Sequence, residues 1–272
     1  MPALTPPTRR EVAVLFDGTL EGFLCIMHAY YYEKITPLII QDENHHQPTL
    51  DTEEYHILTD IEKATTVKTG IINKISTQAW HYATSAYLSN GEDKYMAMFR
   101  YLQLGFKIGS PLDDHLQQDC VLRVHKLAKH VWRESHLLKG FCRFEETANQ
   151  IYYCPIIPKN YVLPLLAEHF SDRMMNQAWI IHDKTHGKVA VYNGETYVIA
   201  DAPKTAQVQH SETESQIQDL WVTFFHSVTI KERIKPKLQR SLLPLYFRKS
   251  MTEFGIKTEK SEKNRGALPH TP

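Results

Sequence analysis

Long apolar runs are absent from this 272-residue sequence. The longest uninterrupted ones, Val12 to Phe16 and Phe23 to Met27, are far shorter than the roughly 18 residues that indicate a bilayer span. The opening segment MPALTPPTRREV has neither an apolar stretch of signal-peptide length nor a small-residue cleavage pattern. These absences predict a cytoplasmic protein with no membrane partner.

Cysteine is scarce and scattered. The four cysteines, at positions 25, 120, 142 and 154, form no C-x-x-C cluster, which argues against structural zinc, an iron–sulfur cluster and a disulfide framework. The fifteen histidines include no H-E-x-x-H motif. His182 and His186 flank a predicted hairpin turn, where a spacing of four does not bring two side chains to one face. We therefore expect no metal ion and no cofactor.

Net charge is also absent, because 31 basic residues balance 31 acidic ones. This balance excludes a uniformly basic surface for nucleic acid. The charge is nevertheless uneven, since residues 231–249 contain one acid, Glu232, and seven bases: Lys231, Arg233, Lys235, Lys237, Arg240, Arg248 and Lys249. Any site for a polyanion is therefore local.

The stretch AVLFDGTLEG, residues 13–22, resembles the opening of phosphatases of the haloacid dehalogenase type. In those enzymes an Asp two positions before the Asp-Gly-Thr triplet attacks phosphorus, and here that position is Leu15. A phosphatase of the haloacid dehalogenase type is thereby excluded. Asp17 is predicted chiefly as the cap of the following helix, with Gly22 letting that helix approach the sheet. The alternative is a functional pair of carboxylates, Asp17 and Glu21.

Hydrophobic periodicity predicts an α+β fold, mainly an antiparallel sheet with a helical insertion and a basic C-terminal helical segment. The insertion covers residues 59–139. We predict a single domain over residues 11–256, with a disordered N-terminus over 1–10 and a charged, disordered tail over 257–272.

Local signals place the elements within that fold. Capping boxes are predicted at Thr59–Glu62 and Ser89–Glu92, and a helix start at Ser110-Pro111. After Phe141, short aromatic and β-branched segments predict hairpins, with a strong turn signal at Asn193-Gly194.

Five long segments resemble, in register, a bacterial family of DNA metabolism or repair proteins, the domain-of-unknown-function family 4130. They are FDGTLEGFLCIMHAYY, HKLAKHVWRESHLLKGFCRF, CPIIPKNYVLPLLAEHFSDRM, AWIIHDKTHGKVAVYNG and WVTFFHSVTIKERIKPKLQRSLLPLYFRKSMTEF. The resemblance implies a DNA-linked role beside a radical-SAM partner, and in some members fusion to a uracil-DNA glycosylase-like domain. This chain lacks the C-x-x-x-C-x-x-C motif of radical-SAM enzymes and the G-Q-D-P-Y motif of uracil-DNA glycosylases. Either of these two activities therefore belongs to another polypeptide.

The basic segment is the main candidate site. Cations interleaved with Tyr246 and Phe247 are suited to neutralising phosphates and stacking on unpaired bases. The predicted nucleic-acid-binding residues are Arg233, Lys235, Lys237, Arg240, Arg248 and Lys249. The alternative is a solvated basic face whose aromatic residues belong to the core.

Two weaker candidates remain. His169 and Arg173, four apart at a helix end, could clamp a phosphate, although a surface cluster accounts for the spacing as well. Arg143 could lie beside Tyr152 as a cation next to a ring. Asp17, Glu21 and His169 are the catalytic candidates if the protein is an enzyme.

Three functions follow from these observations. The favoured one is a nucleic-acid-binding accessory protein in DNA repair or modification, working with a radical-SAM partner. The alternatives are an enzyme acting on a nucleotide or damaged base, and a protein-only adaptor whose basic segment meets an acidic surface of that partner.

Overall fold

The computed structural model describes residues 10–46, 52–203, 211–227, 235–237, 240, 243–248 and 251–255. The chain divides into two compact units, Met1–Trp132 and Arg133–Pro272. The predicted single domain over 11–256 stays a prediction, and the predicted disordered ends, apart from Arg10, lie outside the described residues. In the part of the chain that is described, no helix is both long and apolar enough to cross a membrane.

The first unit opens with the predicted strand, turn and helix. Its strands are β1 (Arg10–Phe16), β2 (Ile35–Asp42) and β3 (Glu54–His56). Its helices are α1 (Leu20–His28), a π-helical turn that extends α1 (Ala29–Glu33), α2 (Ile61–Lys74), α3 (Thr77–Tyr87), α4 (Lys94–Ile108) and the first part of α5 (Asp119–Phe141).

The sheet of the first unit is parallel, with strand order β2-β1-β3. Helix α1 connects β1 to β2, and a helical crossover returns the chain to run in the same direction. Val12 to Phe16 of the central strand are all buried, as expected where both faces of a sheet are covered. The prediction of a mainly antiparallel sheet is therefore wrong for this unit, because a short apolar run carries no information on strand direction.

Four consecutive helices occupy residues 61–141, and their local start signals differ from the predicted ones. Asp60, not Thr59, caps α2 by accepting bonds from the amides of Glu62 and Lys63. No side chain caps α4, which begins at Lys94. Ser110-Pro111 begins a 3₁₀ turn, and α5 starts only at Asp119. The capping pattern thus located the starts of α2 and α4 to within a few residues, whereas α5 begins nine residues after Ser110.

The second unit contains a five-stranded mixed sheet and short helices. Its elements are the end of α5, β4 (Glu145–Glu146), β5 (Tyr152–Ile156), α6 (Leu163–Arg173), β6 (Trp179–Asp183), β7 (Lys188–Tyr192), β8 (Tyr197–Asp201), α7 (Glu212–Ser227), α8 (Leu245–Arg248) and α9 (Thr252–Gly255).

The predicted hairpins are confirmed in this sheet, whose order is β4-β5-β6-β7-β8. Strands β4 and β5 pair antiparallel, as do β6, β7 and β8, and Gly194 takes the positive φ of 102° that its turn requires. Only β5 and β6 are parallel, because α6 connects them. Phe170 of α6 and Trp179 of β6 are buried in the core of this unit.

Candidate functional site

Asp17 lies at the carboxyl edge of the parallel sheet, directly after β1, and is exposed. Its Oδ1 accepts hydrogen bonds from the backbone N–H (3.0 Å) and hydroxyl (2.6 Å) of Thr19, and its Oδ2 accepts one from the hydroxyl of Thr59 (2.8 Å). Thr19 is the residue that caps α1, because its Oγ1 accepts from the amide of Gly22 (3.0 Å). Asp17 therefore orients the cap instead of being it, which corrects the prediction.

The same hydrogen bonds set the ionisation of Asp17. Partial burial raises its pKa, but the bonds from Thr19 and Thr59 outweigh that effect and hold the pKa below its usual value. A carboxylate with a lowered pKa and both oxygens already bonded is a weak general base. Glu21 is exposed in the first turn of α1. A functional pairing of these two carboxylates stays a prediction.

A polar depression of about 580 Å³ lies at the end of the neighbouring strand β2 and is lined in part by Asp42, Lys94 and Tyr95. The Nζ of Lys94 donates to the carbonyls of Tyr87 (2.9 Å) and Ser89 (3.0 Å), so this side chain closes the end of α3. Burial lowers the pKa of Lys94, against the opposing attraction of Asp42. Among the described residues, no group of three His, Cys, Asp or Glu side chains could hold a metal ion.

Replacing Gly22 by Ala is expected to destabilise the first unit by about 1–3 kcal/mol. A Cβ at this position would overlap Oδ1 of Asp17 and lie 2.8 Å from Oγ1 of Thr59, so the capping network would have to move. Gly70→Ala is the matched control, because its Cβ would meet only Phe106 carbons at 3.5 and 3.7 Å inside a helix. Chemical denaturation should show a loss of stability for Gly22→Ala and none for Gly70→Ala. Equal stability of the two variants would contradict the packing described.

Helix α5 carries a basic face that the sequence analysis missed. Between Cys120 and Phe141 its single acid, Glu134, is buried. The exposed ionisable side chains in that span are all of basic type: Lys126, Lys129, His130, Arg133, His136 and Lys139. The helical spacing of Lys, Arg and His in the sequence indicates this face. A count of charges along the chain does not reveal it, because such a count does not separate the faces of a helix.

In the second unit, Arg133 of α5 and Lys159, which follows β5, lie near the ring of Tyr246. The Nζ of Lys159 is 5.4 Å from the ring centroid, a cation–π distance. Burial and the neighbouring Glu134 raise the pKa of Tyr246 to about 12, and Arg133 opposes that shift from close by. The Tyr246 hydroxyl donates to Glu134 at 3.4 Å, which positions the ring. The Tyr246 ring is thus half-buried, with the Lys159 ammonium at cation–π distance and Arg133 close enough to affect its ionisation.

Two further cations lie near His169 in the same unit. Burial is the main cause that lowers the pKa of His169, and the positive charges of Lys139 and Arg173 lower it further against the opposing charge of Asp172. The imidazole is therefore mainly neutral at physiological pH, and Lys139 and Arg173 carry the positive charge. His169 and Arg173 both lie on α6, as their spacing predicted, but a phosphate clamp formed by the two and a catalytic role for His169 stay predictions.

The predicted basic segment is described only in part. Lys235, Lys237 and Arg240 are exposed, whereas Arg233 and Lys249 lie outside the described residues. Arg248 is half-buried, with its guanidinium 4.7 Å from the centroid of the Phe254 ring and a bond to the carbonyl of Leu243. Arg248 therefore has a structural contact, and its predicted role in binding nucleic acid stays a prediction.

The surroundings of Phe247 and Arg143 differ from those predicted from the sequence. Phe247 is buried, so of the two predicted stacking residues only Tyr246 presents any surface. Arg143 pairs with Glu253 (2.7 Å) and lies 5.7 Å from the centroid of the Trp221 ring, instead of beside Tyr152. The pairing joins residues 110 positions apart, which strand alternation could not indicate.

Comparisons with known proteins agree with part of the resemblance seen in the sequence. No curated protein matches the chain. A solved structure, the pGpG-specific phosphodiesterase PggH of Vibrio cholerae, is 8% identical and aligns with 80% of this chain and 100% of its own, but its TM-score of 0.33 is too low to support an argument. A family profile described as a domain of unknown function, DUF4130, matches residues 92–253. Because this match spans more than half of the chain, the protein belongs to the DUF4130 family.

Proposed function

We propose that the second unit binds DNA through a basic surface made of Arg133, Lys139, Lys159 and Arg173. The observation that supports this proposal most is the grouping of these cations around two rings, Tyr246 and His169. Ammonium and guanidinium groups neutralise phosphates, and a partly exposed aromatic ring offers a stacking surface for an unpaired base.

The part of α5 in the second unit presents cations without exposed acids, which favours a polyanion. The only acid in the second-unit part of α5 is the buried Glu134. Its carboxylate accepts hydrogen bonds from the backbone amides of Lys159 and Asn160, at 2.8 Å each. Arg133 and Lys139 therefore have no exposed acid in this part of their own helix, whereas α6 carries exposed Glu168 and Asp172 as well as Arg173. Exposed Lys235, Lys237 and Arg240 add positive charge in the same unit.

The cellular role belongs to the same proposal. The long segments that resemble DNA metabolism and repair proteins favour an accessory factor that holds DNA for a radical-SAM partner. The proposal needs no catalytic residue in this chain, which is consistent with the weak basicity of Asp17.

Removing three of the cations is expected to weaken DNA binding about 10- to 100-fold at low salt. The variant Arg133→Ala/Lys139→Ala/Lys159→Ala removes three exposed charges, and the backbone bond of Lys159 to Glu134 does not depend on its side chain. The slope of log K against log salt should fall by about 2 to 3 for duplex DNA. Fluorescence anisotropy on single- and double-stranded oligonucleotides over a salt series measures both quantities.

A charge-matched control separates a local site from a general loss of charge. Lys68→Ala/Lys107→Ala/Lys184→Ala removes three exposed lysines from other elements and should leave affinity and salt slope unchanged. Salt-independent binding, or equal weakening by both triple variants, would contradict the proposal. Absence of DNA binding together with co-purification of the radical-SAM protein would favour the adaptor instead.

A further inference from the structure

The first unit contains a cavity of about 460 Å³ that the proposed DNA surface does not use. Residues of α1, its π-helical turn, α2 and α4 line it. This volume lies within the roughly 300–1,000 Å³ typical of small-molecule sites, which combine mainly apolar walls with a few polar groups. All of its lining residues belong to the first unit.

A rare backbone conformation presents two of the cavity's rings. Residues 29–33, Ala-Tyr-Tyr-Tyr-Glu, form a π-helical turn at the end of α1, and Lys34 ends it with a left-handed φ of 61°. Such turns are uncommon and occur frequently at functional sites, and a non-glycine residue with positive φ is also uncommon. Tyr31 and Tyr32, within this turn, both line the cavity.

The rings around the cavity are arranged to receive a flat ligand. Tyr32 stacks on His28 with ring centroids 4.3 Å apart and planes at 20°. Tyr31 meets Phe106 edge to face, at 5.4 Å and 75°. The Tyr32 side chain is 68% exposed, so stacking on His28 leaves much of its ring available. An aromatic heterocycle would cover that ring and gain the stacking energy found for bases on protein aromatics.

Polar groups of the cavity complement a base carrying a negative substituent. Nδ1 of His28 is buried without a hydrogen-bond partner, its nearest acid being Glu33 at 4.0 Å. Asn73 supplies both a donor and an acceptor, and Lys74 supplies a cation at the end of α2. None of the described lining residues is acidic, and the Glu33 carboxylate, 4.0 Å from Nδ1 of His28, is paired with Lys63 at 3.3 Å.

We propose that this cavity binds a purine mononucleotide. The base covers the ring of Tyr32 and directs its polar edge toward Asn73. The phosphate lies toward Lys74. This site is separate from the DNA surface in its residues, and one can fail without the other.

Isothermal titration of the full chain with AMP and GMP tests the proposal. At least one of the two is expected to bind with a Kd between about 10 μM and 1 mM, and more tightly than its nucleoside. Ribose 5-phosphate, which keeps the phosphate and lacks the base, should not bind measurably. No binding of AMP or GMP at about 1 mM would overturn the proposal.

Three variants assign the parts of the site. Tyr32→Ala should weaken nucleotide binding about 10-fold, while Tyr32→Phe retains it, because only the ring is needed. Lys74→Ala should reduce the affinity for the nucleotide to that for the nucleoside. Tyr197→Ala, at an exposed tyrosine of β8, is the control and should have no effect. Unchanged binding by Tyr32→Ala, or an unchanged preference for the nucleotide in Lys74→Ala, would overturn the assignment, and circular dichroism verifies that each variant is folded.

Discussion

Replacing Arg143 by Ala is expected to lower the free energy of unfolding of the second unit by about 3 kcal/mol. Arg143 donates two hydrogen bonds to Glu253, at 2.7 and 3.3 Å, and the Glu253 side chain is only 3% exposed. Truncation leaves that carboxylate desolvated and, among the described residues, with the Trp221 indole N–H, at 3.3 Å, as its remaining side-chain donor. Chemical denaturation measures the loss.

A double-mutant cycle distinguishes the ion pair from simple loss of packing. Glu253→Gln removes the charge while keeping the shape, so Arg143→Ala should cost much less in the Glu253→Gln background than in the parent. Equal costs in the two backgrounds would show that the guanidinium acts by packing on Trp221 and not through charge. The network matters for the fold because it joins residues of α7 and α9 to the segment before β4.

The pH dependence of stability should report the same carboxylate. Burial raises the pKa of Glu253, but the hydrogen bonds from Arg143 and others outweigh burial, so its pKa in the folded protein lies below the ordinary 4.5. The unfolded chain therefore binds this proton more readily. The stabilisation is complete above about pH 4.5 and is lost as the pH falls through the lowered folded value. Glu253→Gln should remove this part of the acid sensitivity.

Replacing Glu134 by Ala is expected to destabilise the second unit by about 3–4 kcal/mol. Its buried carboxylate accepts bonds from the backbone amides of Lys159 and Asn160, at 2.8 Å each, and from the side-chain amide of Asn160, at 2.6 Å. Truncation leaves buried donors without this acceptor, each costing about 1–3 kcal/mol. Glu134→Gln, with one acceptor oxygen, should lie between Ala and the parent.

Glu168→Ala is the control for this second prediction, because Glu168 is an exposed acid on helix α6 of the same unit. Its stability should stay within about 0.5 kcal/mol of the parent. Hydrogen exchange at the amides of Lys159 and Asn160 should accelerate in Glu134→Ala and not in the control. A Glu134→Ala protein as stable as the control would show that the carboxylate does not hold this loop.

Elements that depend on local chemistry were predictable. The turn at Asn193-Gly194 and the hairpins around it follow from residues within a few positions of one another, and all were confirmed. Ala64, Val67 and Ile71, which recur at helical spacing, form the buried face of α2. Here backbone preference and hydrophobic spacing act over one turn or one strand, so the sequence contains the whole cause.

Strand direction and partner choice were not predictable in the same way. The parallel pairing of β1 with β2 and β3 depends on where the connecting helix returns the chain, not on the strand's own residues. Asp17 looked like a cap because it precedes a helix, yet Thr19 caps it, and Asp17 also bonds to Thr59, which is 42 positions away.

The sequence by itself determined the balanced net charge and the presence of both helices and strands. It also determined the opening strand–turn–helix and the hairpins of the second unit. Only the tertiary structure decided which charges face solvent. It buries Glu134 while exposing the cations of its helix, it pairs Arg143 with Glu253, and it places the Lys159 ammonium 5.4 Å from the ring centroid of Tyr246. The physical reason is that burial and charge pairing are properties of neighbours in space, and these neighbours lie up to 110 positions apart in the chain, from Arg143 to Glu253.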